Sequence, residues 1–183
     1  MRIIAGEKRG TKLSAPKTTG IRPTTDRVKE SLFGSIQFKL QEAVVLDLFA
    51  GSGALGLEAA SRGAKRVYLV DNGSEAVSLI KKNIILTGSP QNVDFVRKDF
   101  REAIKFFKNN EKFDIVFIDP PYGGAYYGEA LDLLDACGVL QNGSTVVLES
   151  DEKKDIDHVW FKQSKMRKMG GVYLTYLEYC AGN

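Results

Sequence analysis

The sequence contains few of the residues on which metal sites and disulfide frameworks depend. Its 183 residues include one histidine and two cysteines, Cys137 and Cys180, without the spacing of metal ligands. We interpret both cysteines as buried thiols, which is compatible with a reducing cytoplasm. No apolar run reaches the roughly 18 residues typical of a membrane-spanning helix, and MRIIAGEKRG lacks the apolar stretch of a signal peptide. These absences predict a cytoplasmic protein with no metal and no membrane partner.

Charge is distributed unevenly along the chain. Residues 1–29 contain eight basic and two acidic side chains, a net charge of +6, which leaves −3 for the rest of a chain whose total is +3. A basic arm on a mildly acidic body suggests an anionic partner such as a nucleic acid, while a solvated polar N-terminus is the alternative. The candidate RNA-binding residues in this arm are Arg2, Lys8, Arg9, Lys12, Arg22 and Arg27.

Hydrophobic periodicity predicts an α/β fold. Residues 1–20 favour a small hairpin or a flexible arm, and apolar residues at helical spacing predict a helix over Asp26–Leu40, capped by Thr24 or Thr25. From Val44 onward, short apolar runs alternate with helical patterns, which predicts a mostly parallel sheet with helices on both faces. The predicted strands are Val44–Leu48, Arg66–Val70, Val93–Val96, Phe113–Ile118 and Thr145–Glu149, and the predicted helices between them are Ala54–Ser61, Ser74–Leu86, Phe100–Lys108 and Tyr126–Ala136.

The end of the chain has a different pattern. His158–Lys162 and Gly171–Tyr179 read as two strands without a helix between them, so we expect an antiparallel hairpin at the sheet edge. The basic residues of the stretch from Lys153 to Lys168 leave two interpretations open, a second RNA contact and a solvated surface.

Acidic residues follow the first four predicted strands. Asp47, Asp71 and Asp119 end three of them, and Asp99 follows the remaining one closely. Ligands bind at the carboxyl ends of the strands in parallel α/β sheets, and acids do not favour strand formation. One such Asp could cap the next helix, but several at one edge predict a binding site.

The loop VLDLFAGSGALG joins the first strand to a helix and contains Gly51, Gly53 and Gly56 in the spacing G-x-G-x-x-G. Asp71 lies 20 residues after Gly51, where it could accept hydrogen bonds from ribose hydroxyls. This pattern predicts a nucleotide-like cofactor, and a tight turn whose glycines only ease packing is the alternative.

Asp47 favours S-adenosylmethionine over a dinucleotide as that cofactor. A carboxylate beside the glycine loop would repel a pyrophosphate, whereas it would attract the α-ammonium and sulfonium groups of S-adenosylmethionine. Asp99 is then a candidate acceptor for the adenine amino group, and Phe100 could cover the adenine ring. A dehydrogenase that binds NAD is the remaining alternative.

The segment Asp119-Pro120-Pro121-Tyr122 predicts methyl transfer to an amino group. Its prolines stiffen the backbone and remove N–H donors, so the Asp119 carboxylate and the Pro120 carbonyl can accept from one exocyclic NH2. Two such acceptors can turn the nitrogen lone pair toward the methyl group, while a base stacks on Tyr122. A proline-rich turn with a capping Asp is the alternative reading of the segment.

Two N-terminal segments, MRIIAGEKRGTKL and GIRPTTDRVKESLF, resemble the RsmD family of 16S rRNA guanine-N2 methyltransferases. Together with the motifs above, the resemblance covers almost the whole chain. The resemblance implies a seven-stranded Rossmann-like sheet, S-adenosylmethionine as cofactor, and methylation of one guanine of 16S rRNA in a small-subunit assembly intermediate. The uneven charge and the change of pattern near Val44 predict a basic arm and helix at residues 1–40 and a catalytic domain at residues 41–183, and we expect a monomer. The resemblance places Arg22-Pro23-Thr24 near the mouth of the active site, which adds Thr24 to the RNA-binding candidates.

The resulting site prediction has two parts. The predicted catalytic residues are Asp119, Pro120, Pro121 and Tyr122, and the predicted cofactor-binding residues are Asp47, Phe49, Gly51, Gly53, Asp71, Asp99 and Phe100. Three other functions remain as alternatives at this point: DNA adenine-N6 methylation, protein glutamine-N5 methylation, and a non-catalytic role as an rRNA-binding assembly factor.

Overall fold

A computed structural model describes residues 1–16, 25–121 and 126–182 of the chain. Three predicted site residues, Arg22, Thr24 and Tyr122, lie outside the described residues. The helices are α1 (Asp26–Leu40), α2 (Ala54–Ser61), α3 (Ser74–Leu86), α4 (Phe100–Phe107) and α5 (Tyr126–Ala136). The strands are β1 (Val44–Asp47), β2 (Arg66–Val70), β3 (Val93–Val96), β4 (Phe113–Ile118), β5 (Leu140–Ser150), β6 (Phe161–Met169) and β7 (Val172–Tyr179).

The strands form one seven-stranded sheet in the order β3-β2-β1-β4-β5-β7-β6. The first five strands of this order are parallel, and β7 is antiparallel to both β5 and β6. The order reverses direction between β1 and β4, which is where parallel α/β sheets bind ligands. The predicted mostly parallel sheet with an antiparallel C-terminal hairpin is confirmed.

Two hydrophobic clusters form the core, one on each face of the sheet. Successive side chains of a strand point to opposite faces, so Val45 and Phe117 pack toward α1, α2 and α3, while Leu46 and Val116 pack toward α4 and α5. None of the helices among the described residues is long and apolar enough to cross a membrane.

The N-terminal residues form a hairpin that packs on α2. Ile3 N donates to Thr11 O at 2.9 Å, and Gly10 N donates back to Ile3 O at 2.9 Å. A Cβ at Gly6, whose φ is 82°, would lie 1.8 Å from the Ser61 carbonyl oxygen, so only glycine permits this approach to α2. The structure therefore confirms a hairpin rather than a flexible arm for residues 1–13, and residues 17–20 of the predicted segment lie outside the described residues. The division at residue 40 stays a prediction.

Two sequence-based expectations about the C-terminal region were wrong. The strand predicted at His158–Lys162 lies instead at Phe161–Met169. This segment is mostly polar and shows no clear alternation of apolar and polar residues, so its position depends on pairing with β7. Cys180 is exposed rather than buried, since it follows the last residue of β7, and Cys137 is half-buried.

Candidate active site

A cavity of about 720 Å³ opens at the carboxyl ends of the strands, a volume typical of small-molecule sites. The sheet topology brings together residues that the sequence separates by more than 70 positions. The predicted residues on the cavity wall are Asp47, Phe49, Gly51, Asp71, Asp99, Phe100, Asp119, Pro120 and Pro121.

The glycine loop is held by the acid at the end of β2. Asp71 Oδ2 accepts from Gly51 N at 2.9 Å, and its Oδ1 accepts from Gly73 N at 2.8 Å. A carboxylate oxygen can accept more than one hydrogen bond, so these contacts leave Asp71 able to bind ribose hydroxyls. Gly53 is not on the wall, and a Cβ there would lie 3.2 Å from Leu69 Cδ1.

Asp47 is almost completely buried beneath the glycine loop. Its Oδ2 accepts from Gly56 N at 2.9 Å, near the start of α2. Burial raises the pKa of Asp47 from 3.8 to about 7, an effect that the Gly56 hydrogen bond opposes and that the charges of Asp71 and Glu149 increase. A cation that entered the cavity would favour the ionised form of this carboxyl.

Asp119 lies at the end of β4, partly buried on the cavity wall. Burial, followed by the charges of Glu149 and Asp47, raises its pKa well above 3.8. Its carboxyl group forms no hydrogen bond with any residue that the structure describes. In either protonation state it offers an acceptor oxygen at this edge of the cavity.

Aromatic rings form the side of the cavity near α4 and α5. The Phe100 ring centroid lies 5.0 Å from that of Phe49 and 5.8 Å from that of Tyr126. The Arg101 guanidinium carbon lies 4.3 Å from the Phe100 centroid, and Arg101 also pairs with Glu129 of α5. The Arg101–Glu129 salt bridge and the Phe100–Tyr126 ring contact join α4 to α5 beside the cavity, whereas the contact of Arg101 with Phe100 lies within α4.

Asp99 combines a structural and a potential binding role. Its Oδ1 accepts from Arg101 N at 2.9 Å and so caps the N-terminus of α4. Its side chain is 37% exposed and contributes to the cavity wall. The capping alternative considered from the sequence is therefore present, and binding of adenine by Asp99 stays a prediction.

Sequence reasoning missed several residues near the cavity. Met1 and Pro16, from the N-terminal hairpin and the segment after it, contribute to the wall. Glu149 acts electrostatically on both Asp47 and Asp119. No local pattern indicates these contributions, because each depends on contacts between distant segments.

The basic residues of the arm fall into two groups. Arg2 pairs with Asp26 at 2.9 Å, and Lys8 pairs with Glu7 at 2.7 Å. Three further candidates are exposed and form no ion pair with the described part of the chain: Arg9, Lys12 and Arg27.

Comparison with known proteins then identifies the family. Residues 1–178 match the family described as "Conserved hypothetical protein 95". The chain belongs to this family. Curated relatives include the Ribosomal RNA small subunit methyltransferase D of Escherichia coli K12, which is 37% identical over 180 residues, 98% of this chain and 89% of that protein. The protein of the same name from Haemophilus influenzae is 36% identical over 157 residues, 85% of this chain and 81% of that protein.

Solved structures of similar fold include the Escherichia coli protein yhhF, with a TM-score of 0.87 and 30% identity. The match covers 100% of this chain and 99% of that one. An RNA methyltransferase from Salinibacter ruber in complex with S-adenosyl-L-homocysteine matches with a TM-score of 0.70 over 88% of this chain and 96% of that one; at 18% identity it shows the fold alone.

These findings confirm the predicted RsmD family, the Rossmann-like fold and the methyltransferase class. The roles of individual site residues stay predictions.

Proposed function

We propose that this protein transfers a methyl group from S-adenosylmethionine to the exocyclic N2 of one guanine in 16S rRNA. The observation that carries the proposal is the Asp119 carboxyl group, which lies on the wall of an acidic cavity without a hydrogen-bond partner among the described residues. A partly buried acceptor of this kind is free to bind a ligand that donates a hydrogen bond, and a planar amino group is a suitable donor.

The polar wall of the cavity fits the predicted cofactor. S-adenosylmethionine supplies an electrophilic methyl group on a positively charged sulfur. Asp47, whose pKa lies near neutrality, suits a cationic ligand better than a pyrophosphate. Asp71 and the backbone of Gly51 would hold the ribose side, and Phe49 and Phe100 provide an apolar surface near the predicted adenine contact at Asp99.

The residues after β4 would prepare the amino group for reaction. An exocyclic amine is a weak nucleophile because its lone pair is delocalised into the base. Asp119 and the carbonyl of Pro120 would accept its two hydrogens, which turns the lone pair out of the ring plane. Asp119 can also receive the proton that the methylated nitrogen loses, since its pKa is raised. Tyr122 would stack on the base.

The substrate would be 16S rRNA within a small-subunit assembly intermediate, modified by a monomer in the cytoplasm where that subunit is assembled. A base can reach the recessed cavity only from a loop or after flipping out of a helix. The exposed residues Arg9, Lys12 and Arg27, together with Arg22 and Thr24, would contact phosphates near the cavity mouth. The names of the curated relatives support this substrate.

A methyl-transfer assay tests the proposal directly. Labelled S-adenosylmethionine would be incubated with naked 16S RNA, with small-subunit particles lacking the modification, and with duplex DNA, and the labelled product would be mapped. We expect label on N2 of a single guanine in the RNA, most strongly in the particles. Label on DNA adenine or on a protein glutamine, or no label on any RNA, would contradict the proposal.

A further inference from the structure

Strand β6 is basic throughout its length. Its nine residues contain four cations, Lys162, Lys165, Arg167 and Lys168, and no acid. All four side chains are exposed, and none forms an ion pair with a residue that the structure describes. The basic residues just before the strand differ, because Lys153 pairs with Asp155, Lys154 with Glu152, and His158 with Asp132.

The pairing register places one of these cations level with the candidate active site. Ile118 of β4 pairs with Leu148 of β5, so the next residue of each strand, Asp119 and Glu149, are neighbours. Glu149 pairs with Leu174 of β7, and Leu174 pairs with Arg167 of β6. Asp119 and Arg167 therefore lie in one row, three strand spacings apart. At about 4.8 Å per spacing their backbones are roughly 14 Å apart.

Arg167 also points to the same face of the sheet as helix α1. Its row partner Leu174 belongs to the core cluster that contains Val28, Leu32 and Phe33 of α1. Two positions earlier, Lys165 Nζ lies 3.1 Å from Ser35 Oγ of α1. Side chains two residues apart on a strand share a face, so Lys165 and Arg167 both lie along the junction between β6 and α1.

Helix α1 brings a further cation to the site end of this junction. Lys39 Nζ donates to Thr145 Oγ1 at 2.9 Å, so the C-terminus of α1 lies near the amino end of the parallel strands. Lys39 follows Asp26 by thirteen positions of helix, a rise of about 20 Å, which places the start of α1 at the carboxyl edge of the sheet. Arg27, exposed in the first turn, therefore lies at the same edge as Asp119.

We propose that Lys165 and Arg167 extend the RNA contact of Arg27 along β6, and that the three residues form an RNA-binding surface, here called the α1–β6 surface, which binds phosphates flanking the target guanine. The proposal rests on the proposed function, since it takes RNA as the substrate. Several cations on one side of a nucleobase site, without ion-pair partners among the described residues, suit a polyanion, because each phosphate contact releases counterions. The N-terminal hairpin packs on α2, so the two basic regions belong to different elements and together can hold RNA on two sides of the cavity.

Basic residues on an edge strand also prevent aggregation through strand pairing. Protection against strand pairing requires only charged residues on β6, wherever they lie along the strand. The α1–β6 surface requires charge at the site end of the strand. Lys162 separates the two explanations, because it lies at the opposite end of β6, in the row of Thr145 and beside Glu178.

The test measures binding of 16S RNA and of small-subunit particles over a range of salt concentrations. We expect the double variant K165Q/R167Q to weaken RNA binding roughly tenfold and to lower the slope of log K against log[salt] by roughly one to two. R27Q should weaken binding further. K162Q should change affinity less than about twofold, and the charge-preserving K165R/R167K should bind almost as the native protein does.

Three results would overturn the proposal. K165Q/R167Q could bind RNA with the native affinity and salt slope, or K162Q could be as defective as the double variant. The double variant could also bind particles weakly but naked RNA normally, which would indicate a protein partner instead.

Calorimetry with S-adenosylmethionine on every variant checks the cavity independently. If the native protein methylates RNA while these variants bind it normally, only this inference fails; if the native protein methylates no RNA, the proposed function fails.

Discussion

Lys29 Nζ lies 3.0 Å from Glu58 Oε2, and both side chains are completely buried between the N-terminal hairpin, α1 and α2. Glu58 also accepts from the backbone nitrogens of Ile4 and Ala5 at 2.8 and 3.0 Å. The pair therefore joins the basic arm to the helix that follows the glycine loop. Its removal would affect both the arm and the cavity that the arm helps to form.

Replacement of Lys29 by methionine should destabilise the protein by about 3–5 kcal/mol, because among the described residues it leaves the buried Glu58 charge with Arg62 as its one remaining ionic partner. Urea unfolding measures the change. D26N is the control, since it breaks the exposed pair with Arg2 and should cost less than about 1 kcal/mol. Equal effects of the two substitutions would contradict a structural role for the buried pair.

Replacement of Asp119 should affect catalysis and spare cofactor binding. We expect D119A to lower kcat for methyl transfer by roughly 10²–10³ with unchanged affinity for S-adenosylmethionine, because the lost acceptor acts on the substrate amine. D119N keeps one acceptor oxygen and should lose less. Kinetics and calorimetry separate the two quantities.

D71N provides the matched comparison, since Asp71 holds the glycine loop. It should weaken cofactor binding more than it lowers kcat. Full methyl-transfer activity in D119A would remove the proposed mechanism.

Asp47 should make the unliganded protein less stable as pH rises from about 4 to 7. Its pKa is 3.8 in the reference state and about 7 when folded, so in this interval the folded protein retains a proton that the unfolded chain has lost. The stabilisation that Asp47 contributes is therefore fully present below the pKa of this group in the unfolded chain. It decreases as the pH rises and is lost above the pKa of the group in the folded protein. The substitution D47N should therefore reduce the slope of the unfolding free energy against pH by up to about 1.4 kcal/mol per pH unit.

Denaturant unfolding at a series of pH values measures this dependence. Asp119 also has a raised pKa, so some slope should persist in D47N and decrease further in D47N/D119N. An unchanged slope in D47N would show that the buried carboxyl does not titrate in this interval.

Gly56 should be intolerant of a side chain because α2 packs directly on β1 and β2. A Cβ at this position would lie 2.1 Å from Leu69 Cδ2, so we expect G56A to cost about 1–3 kcal/mol. Shortening the neighbour in L69A should reduce the cost of G56A, which a double-mutant cycle measures.

Gly34, in α1 with open space around it, is the control, and G34A should stabilise by roughly 0.5–1 kcal/mol. If G56A costs as much in the L69A background as in the native protein, the clash with Leu69 is excluded as the cause.

Local sequence signals predicted most of the fold. The bounds of α1, α2, α3 and α5 agree with the prediction to the residue, since apolar periodicity and capping residues act within a few positions of each other. The acids Asp47, Asp71 and Asp119 were predicted to meet because the carboxyl ends of parallel strands share one edge, and all three lie on one cavity wall.

The sequence by itself determined the βα rhythm, the acidic carboxyl edge of the sheet and the family, because these depend on neighbouring residues and short motifs. Only the tertiary structure decided the position of β6, the burial of Lys29 against Glu58 and the contribution of Met1 to the cavity. In each case the favourable contacts join segments distant in sequence. A polar edge strand such as β6 buries almost no face, so it shows little alternation until the register of β7 selects it.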